Sequence, residues 1–405
     1  MIIKEDKLSK IKLIILLLFP VFIFAQSNKK LRYDTDGMLV INGKRTFIIG
    51  SYHLPKSEKP FKVLSENGYN LVHVAPSKSQ LNNASKNNLW TWISTGVTNQ
   101  NNTSKKIENI INNFKNHTSL LNWEIADEPA WTWNSDEPRI TPEKMKATYN
   151  LIKSIDPNHF VYTNHAPVNL ISTLQKYNSS TDIVACDIYP VIPHGIKPTY
   201  AIFEDGFQGD LLNTYISQVG EYVDKMKKVA NYSKPVFIVL QGFAWEMLKP
   251  ENERDISKVL YPTYSESRFM AYNAIVHGAN GILYWGTNHA PQPSKFIDDL
   301  NNVTKELNEF KNIISSTNYV MDIKKEYHEL GHSIDRGIEI ISKKVNDHIY
   351  LITTNSDKNP VKISFLGLGA YKNAKVLKEN RIIKISENKM TDYYKPFDVH
   401  IYELN

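Results

Sequence analysis

Between residues 47 and 317, eight short apolar runs alternate with segments of helical character, and that order leaves few folds open to the chain. The runs fall at 47–52, 70–75, 89–94, 120–126, 160–164, 182–189, 235–241 and 281–285. Helices are expected at 61–67, stopped by Gly68, and at 104–116, where Ile107, Ile110, Ile111 and Phe114 share one face. Thr141-Pro142-Glu143 opens another helix, with Thr as N-cap and Pro in the first turn. Further helices are expected at 211–229, at 265–276 (capped by Ser265, stopped by Gly278) and at 297–314. Apolar strands alternating with amphipathic helices mark parallel βα units, and eight in a row predict an α/β fold of the (β/α)8 TIM barrel class. No Gly-rich phosphate loop follows the first strand, which argues against a dinucleotide-binding sheet.

Elements at either end complete the plan. Residues 37–45 read as two short strands about an Asn42-Gly43 turn, a hairpin placed to plug the bottom of the barrel. Beyond about residue 319 the period changes to short alternating strands, expected at 337–342, 348–354, 361–365, 374–377, 382–385 and 399–402. These predict a small antiparallel β-sandwich. The expected division is a leader at 1–26, a barrel at 30–317 and the β-sandwich at 320–405. In the leader, Lys4, Lys7, Lys10 and Lys12 precede an apolar run at 13–24, and Ala25 offers a cleavage point. That three-part order predicts a secretory signal and an exported protein, in the periplasm, on the surface or outside the cell. The run is short for a membrane span, so no stable span is expected once the signal is removed. Cys186 is the single cysteine, so stability is expected to come from a core rather than a disulfide. The net charge of +6 is dispersed with no dense Lys/Arg block, which gives nucleic-acid binding little support, and no nucleic-acid partner is expected. Nothing in the sequence addresses oligomeric state.

Chemistry in such barrels sits at the C-terminal ends of the strands. The fourth strand runs into Asp127-Glu128-Pro129. If Glu128 faces inward, alternation turns Ala126, Glu124 and Asn122 inward and Trp123, Ile125 and Asp127 toward the helices. Glu128 is then a rim carboxylate and a candidate general acid. Cleavage of a glycosidic bond normally needs a second carboxyl group. Asp187, at the end of strand six, and Glu246, just past strand seven, are the catalytic candidates. Glu266 reads more simply as a helix-start residue or a partner of Arg268. A fourth option is no protein nucleophile: some glycosidases use the substrate's own N-acetyl group beside an Asp-Glu pair. Candidate substrate contacts at or near strand ends are His53, His73, Asp127, Asn164, Tyr189, Gln241, Trp245 and Trp285. His165 and His289 lie in similar places, and Trp90, Trp92, Trp131 and Trp133 could also stack on sugars. No HxH or HExxH spacing accompanies the histidines, so neither a metal nor any other cofactor is expected.

These segments resemble the catalytic domains of clan A glycoside hydrolases. The stretch at 37–45 with Ile49-Gly50 is similar to their opening, and Trp123-Glu124-Ile125-Ala126-Asp127-Glu128-Pro129 is similar to their strand-four Asn-Glu-Pro motif. Residues 278–285, ending in Trp285, are similar to their strand-eight segment. The resemblance covers about 37–290 and implies that Glu128 is the acid/base and that Trp285 floors a sugar subsite. It also implies a nucleophilic Glu where this chain has Gln241. Two functions follow as expectations: a secreted hydrolase of O-glycosidic bonds in a poly- or oligosaccharide, or a carbohydrate-binding pseudo-enzyme without the strand-seven nucleophile.

Overall fold

The computed structural model describes residues 30–98, 101–132, 135–195 and 213–405, so the leader, Trp133 and the start of the 211–229 helix lie outside the described residues. Three antiparallel strands come first: β1 (Leu31–Tyr33), β2 (Leu39–Ile41) and β3 (Lys44–Thr46). Asn42 and Gly43 join β2 to β3 at φ 52° and 83°, the left-handed pair that a two-residue hairpin requires. Leu39 and Ile41 pack with Ile48, Leu71, Phe237 and Leu283 inside the barrel, so the hairpin plugs its N-terminal end.

Eight parallel strands then close on themselves. They are β4 (Ile48–Ser51), β5 (Leu71–His73), β6 (Trp90–Ser94), β7 (Leu120–Glu124), β8 (Phe160–His165), β9 (Ile183–Asp187), β10 (Val236–Gln241) and β11 (Gly281–Trp285), with β11 bonded back to β4. All eight coincide with the apolar runs. Between them lie α1 (Pro60–Glu66), α2 (Lys78–Lys86), α3 (Asn101–Phe114), α4 (Pro142–Ile155), α5 (Ile171–Gln175), α6 (Gln218–Val229) and α7 (Tyr264–Val276); α8 (Lys295–Glu309) and α9 (Lys311–Ile314) follow β11. Sequence periodicity misses α2 and α5, because α2 buries only Leu81 and Ala84, and α5 only Leu174. Too few apolar contacts remain to mark a face. The expected 297–314 helix is two, interrupted at Phe310.

The cap of α7 is Thr263, not Ser265. The Thr263 side chain accepts from the Glu266 backbone, and the Glu266 carboxylate accepts from the Thr263 N–H at 2.8 Å. This capping box fixes the role of Glu266 at the helix start. Arg268 pairs with Glu306 at 2.9 Å instead. From Ser267 to Val276, α7 is buried except at Arg268, because barrel strands cover one side and the C-terminal domain the other.

That domain has two antiparallel sheets, with two strands more than expected, both in the smaller sheet. β12 (Lys324–His328), β15 (Val361–Leu366) and β18 (Lys389–Tyr394) form one, in the order β12-β15-β18. β13 (Ile338–Val345), β14 (His348–Asn355), β16 (Asn373–Val376), β17 (Arg381–Lys384) and β19 (Val399–Leu404) form the other, in the order β13-β14-β19-β16-β17. The unexpected strands, β12 (Lys-Lys-Glu-Tyr-His) and β18 (Lys-Met-Thr-Asp-Tyr-Tyr), are polar and lie at the edges of one sheet, where apolar alternation is weak. Leu351, Ile363, Phe365 and Tyr402 fill the space between the sheets. Ile352, Val399 and Ile401 point the other way and join the core around the barrel helices. Among the described residues, no helix is long and apolar enough to cross a membrane.

Candidate active site

The C-terminal mouth of the barrel is shaped by how β7 ends. The β6–β7 pairing shifts register between Thr91 and Trp92, so Leu121 faces the barrel interior. Alternation then resumes. Trp123 faces the helices, donating its indole N–H to Asp156 at 2.8 Å, while Glu124 points inward and accepts from Ser94 Oγ at 2.8 Å and Trp92 Nε1 at 3.2 Å. Burial, with the negative charge of Asp127, pushes Glu124 up to about 7 despite those two bonds. Both bonds go to Glu124 Oε2, and its buried Oε1 has no hydrogen-bond partner among the described residues.

Beyond Glu124 the strand stops and alternation no longer applies. Glu128 has φ 45°, the left-handed region that non-glycine residues rarely occupy. The turn brings consecutive side chains to one cavity: Asp127 and Glu128 both line it. The expectation that Asp127 faces the helix layer is therefore corrected. Glu128 N–H donates to the Asn164 carbonyl at 3.0 Å, which ties the turn to β8.

Three carboxylates meet here. Asn164 Nδ2 donates to Asp127 Oδ1 at 3.0 Å and to Asp187 Oδ1 at 3.1 Å, so one amide holds side chains from two different strand ends. The Glu128 and Asp187 carboxyls lie within hydrogen-bonding reach of each other. Arg139 Nη1 pairs with Glu128 Oε2 at 3.0 Å from the solvent side, its guanidinium resting 5.4 Å from the Trp131 ring centre. Burial and the charge of Asp127 push Glu128 up to about 7, against the opposing pulls of Arg139 and Asp187. Burial, then Glu128 and Asp127, pushes Asp187 well above the usual carboxylate range. Such a cluster holds protons at neutral pH that isolated carboxylates would have lost.

An aromatic wall faces the carboxylates. Tyr189 and Trp285 stack at 5.7 Å, Phe243 meets Trp285 edge-on at 5.1 Å, and Trp245 donates its indole N–H to the Tyr189 carbonyl at 3.2 Å. Tyr52 adds a ring whose hydroxyl shares a hydrogen bond of 2.7 Å with Tyr162. The cleft has a volume of about 270 Å³.

Among the expected site residues, Asp127, Glu128, Asn164, Asp187, Tyr189, Trp245 and Trp285 line this cavity. Four do not. Gln241 is fully buried: its Oε1 accepts from Val191 N–H, and its Nε2 donates to the Val191 and Phe243 carbonyls, each at 3.0 Å. Its amide is committed to backbone, so the expectation of a sugar contact is corrected. Glu246 is drawn into the following loop by the Asp255 N–H at 2.6 Å and by Lys249 at 3.0 Å, contacts that lower its pKa and remove it from the cleft. His53 lines a neighbouring hollow with Pro55 and Lys56, and burial, with His289 and His73 nearby, pushes it down to about 4. His73 bonds Ser94 Oγ at 3.0 Å, one layer behind the carboxylates. Of the other aromatic candidates, Trp131 lines the cleft, Trp92 is fully buried inside the barrel, and Trp90 sits near the opposite end with Lys44 and Phe47. Arg139 and Tyr52 went unnoticed in the sequence. Arg139 lies in a loop with no periodicity, while Tyr52, directly after β4, could have been found by its place alone. Among the described residues, no three His, Cys, Asp or Glu side chains are arranged to hold a metal ion.

Residues 28–197 match the family model described as "Glycosyl hydrolases family 2, TIM barrel domain". No curated protein matches the chain. Among solved structures, one described as "Glycoside hydrolase" aligns with TM-score 0.62 at 16% identity, over 93% of this chain and 97% of that one. A glycoside hydrolase family 5 protein from Bacteroides vulgatus aligns with TM-score 0.60 at 15% identity, over 93% of each chain. An α-amylase from Geobacillus thermoleovorans, complexed with acarbose, aligns with TM-score 0.54 at 10% identity, over 92% of this chain and 99% of that one. At such identities the likeness is one of fold. The chain is thus a (β/α)8 barrel followed by a C-terminal antiparallel β domain, a fold similar to that of these glycoside hydrolases.

Proposed function

We propose that the protein is an exported hydrolase of O-glycosidic bonds in which Glu128 is the proton donor. One observation carries the reading: Glu128 lies in a cleft walled by aromatic rings, and burial beside Asp127 raises its pKa to about 7. A general acid works best when its pKa lies near the working pH. Glu128 protonates the departing sugar oxygen, and Tyr189, Trp245 and Trp285 offer ring faces to the sugar. The cavity is near the low end of ligand clefts, which begin at about 300 Å³, and suits one sugar ring held deep with the rest outside. Arg139 reaches Glu128 from the open side and is itself half exposed, so substrate can displace it. Export is supported by the basic-then-apolar order of the first 26 residues.

In Glu128→Gln, kcat should fall by about 10²–10⁴-fold while glycan binding persists. Unchanged hydrolysis in that variant ends the assignment.

A second reading, a carbohydrate-binding protein without hydrolysis, is favoured by the amide at Gln241. Screening glycans for binding and for reducing-end release separates the two. Binding without release across the panel selects the second.

A further inference from the structure

We propose that the group attacking the anomeric carbon comes from the substrate: the cleft takes glycosides bearing a 2-acetamido group, which Asp127 orients while Glu128 protonates the leaving oxygen. This rests on the hydrolase reading above and names its substrate class.

The protein nucleophiles at the strand ends are each disfavoured. The strand-seven side chain, Gln241, is an amide whose hydrogen bonds all go to backbone. Glu246 is held in the next loop by Lys249 and the Asp255 N–H. Asp187 lies in the cleft with Oδ1 held by the same Asn164 amide as Asp127, and burial with the charges of Glu128 and Asp127 holds it well above the usual carboxylate range, which disfavours the ionised form a nucleophile needs.

Asp127 is placed differently. It precedes the acid in sequence, yet the left-handed turn at Glu128 delivers both carboxylates to the same cavity. Asn164 fixes Asp127 through Oδ1 at 3.0 Å. Its other oxygen has no partner among the described residues, which leaves an acceptor for an amide N–H. The opposing stack of Tyr189 and Trp285, at 5.7 Å, supplies an apolar surface for a sugar face and an acetyl methyl.

The step balances without any added reagent. The acetamido carbonyl oxygen attacks C1 as the bond from C1 to the leaving oxygen breaks. That oxygen keeps the bonding pair and takes the proton of Glu128. Asp127 accepts the amide N–H hydrogen bond, or its proton, as an oxazoline ring closes. Water then adds to C1, giving one proton to Glu128, the ring opens, and the acetamide recovers its hydrogen from Asp127. The anomeric configuration is retained.

The test uses the full chain with aryl 2-acetamido-2-deoxy-β-glucosides and β-galactosides, their 2-hydroxy counterparts, N-fluoroacetyl derivatives, and an N-acetylglucosamine thiazoline. Acetamido substrates should be cleaved at least about 100-fold faster than the hydroxy ones, given the advantage of an intramolecular nucleophile. The rate should fall stepwise with each fluorine added to the acetyl group, the thiazoline should compete, and Asp127→Asn should lose most of the rate. Equal cleavage of hydroxy glycosides, or trapping of a 2-fluoro glycoside on Asp187, overturns the proposal. If that cleavage is lost in Glu128→Gln, the hydrolase reading survives. No cleavage of any acetamido substrate overturns the proposal whether or not the thiazoline binds, and no release from either class or from an oligosaccharide panel ends both readings.

Discussion

Glu128 holds a backbone angle, φ 45°, that favours glycine, and it carries a carboxyl pressed against two others. Both features cost stability and both serve proton transfer. The signs can be worked out. A carboxyl raised from 4.5 to about 7 costs no stability below the unfolded value, weakens the fold progressively as pH rises from there, and does so in full above the folded value. Glu128→Gln should therefore gain about 2 kcal/mol at pH 8 relative to wild type, a gain that vanishes near pH 4 in denaturation curves. Catalysis needs the protonated form, so activity should decline as pH rises through about 7. Asp127 raises that value and Arg139 lowers it. In pH–rate profiles the alkaline limb should move to lower pH in Asp127→Asn and to higher pH in Arg139→Ala. Shifts in the same direction would refute the assigned electrostatics.

At the scale of elements, the ends of β7 and β10 were the two decisive places, and each departs from simple strand reading. β7 stops at Glu124, and the turn that follows re-aims Asp127. β10 ends in an amide that pins the loop after β9, through Val191, to its own exit at Phe243. Gln241 is thus a structural clasp. Gln241→Glu, the change that would seem to restore a nucleophile, puts a carboxyl oxygen against the Val191 and Phe243 carbonyls. It should cost about 2 kcal/mol in stability and give no new hydrolysis. A gain in turnover would show that the loop can release this side chain.

For the whole molecule, α7 is the plate on which barrel and β domain are joined. Arg268 donates to the Val399 carbonyl at 3.0 Å, and Asn273 donates to Glu339 at 2.8 Å. Next to α7, His277 bonds Asp224 at 2.7 Å and Glu339 at 3.0 Å, while Lys227 donates to its carbonyl. Burial alone would lower His277, but the two carboxylates overcome it and raise it to about 9. A raised histidine stabilises fully below its unfolded value near 6.5, and the benefit is lost as pH climbs through the folded one. The protein should lose about 2 kcal/mol between pH 6.5 and 9.5, a figure reduced because Asp224 is half exposed. His277→Gln should flatten that slope in denaturation midpoints measured across this range.

The eight barrel strands, the bottom hairpin and most of the β domain were legible in the chain, because strand burial and turn geometry leave local marks: apolar runs such as 235–241 and an Asn-Gly pair at 42–43. Glu128 and Trp285 could be placed at strand mouths for the same reason, since order along a closed barrel fixes which ends share a rim. The contacts within that rim were decided by tertiary structure. Whether Asp127 faces helix or cleft depends on the backbone between Glu124, where the strand ends, and Asp127, where alternation no longer holds. Whether Gln241 meets a sugar or Val191 depends on a loop 50 residues away. Hydrophobic periodicity encodes burial, a property of each residue's own surroundings, but hydrogen-bond pairing belongs to two residues at once and exists only where the folded chain brings them together.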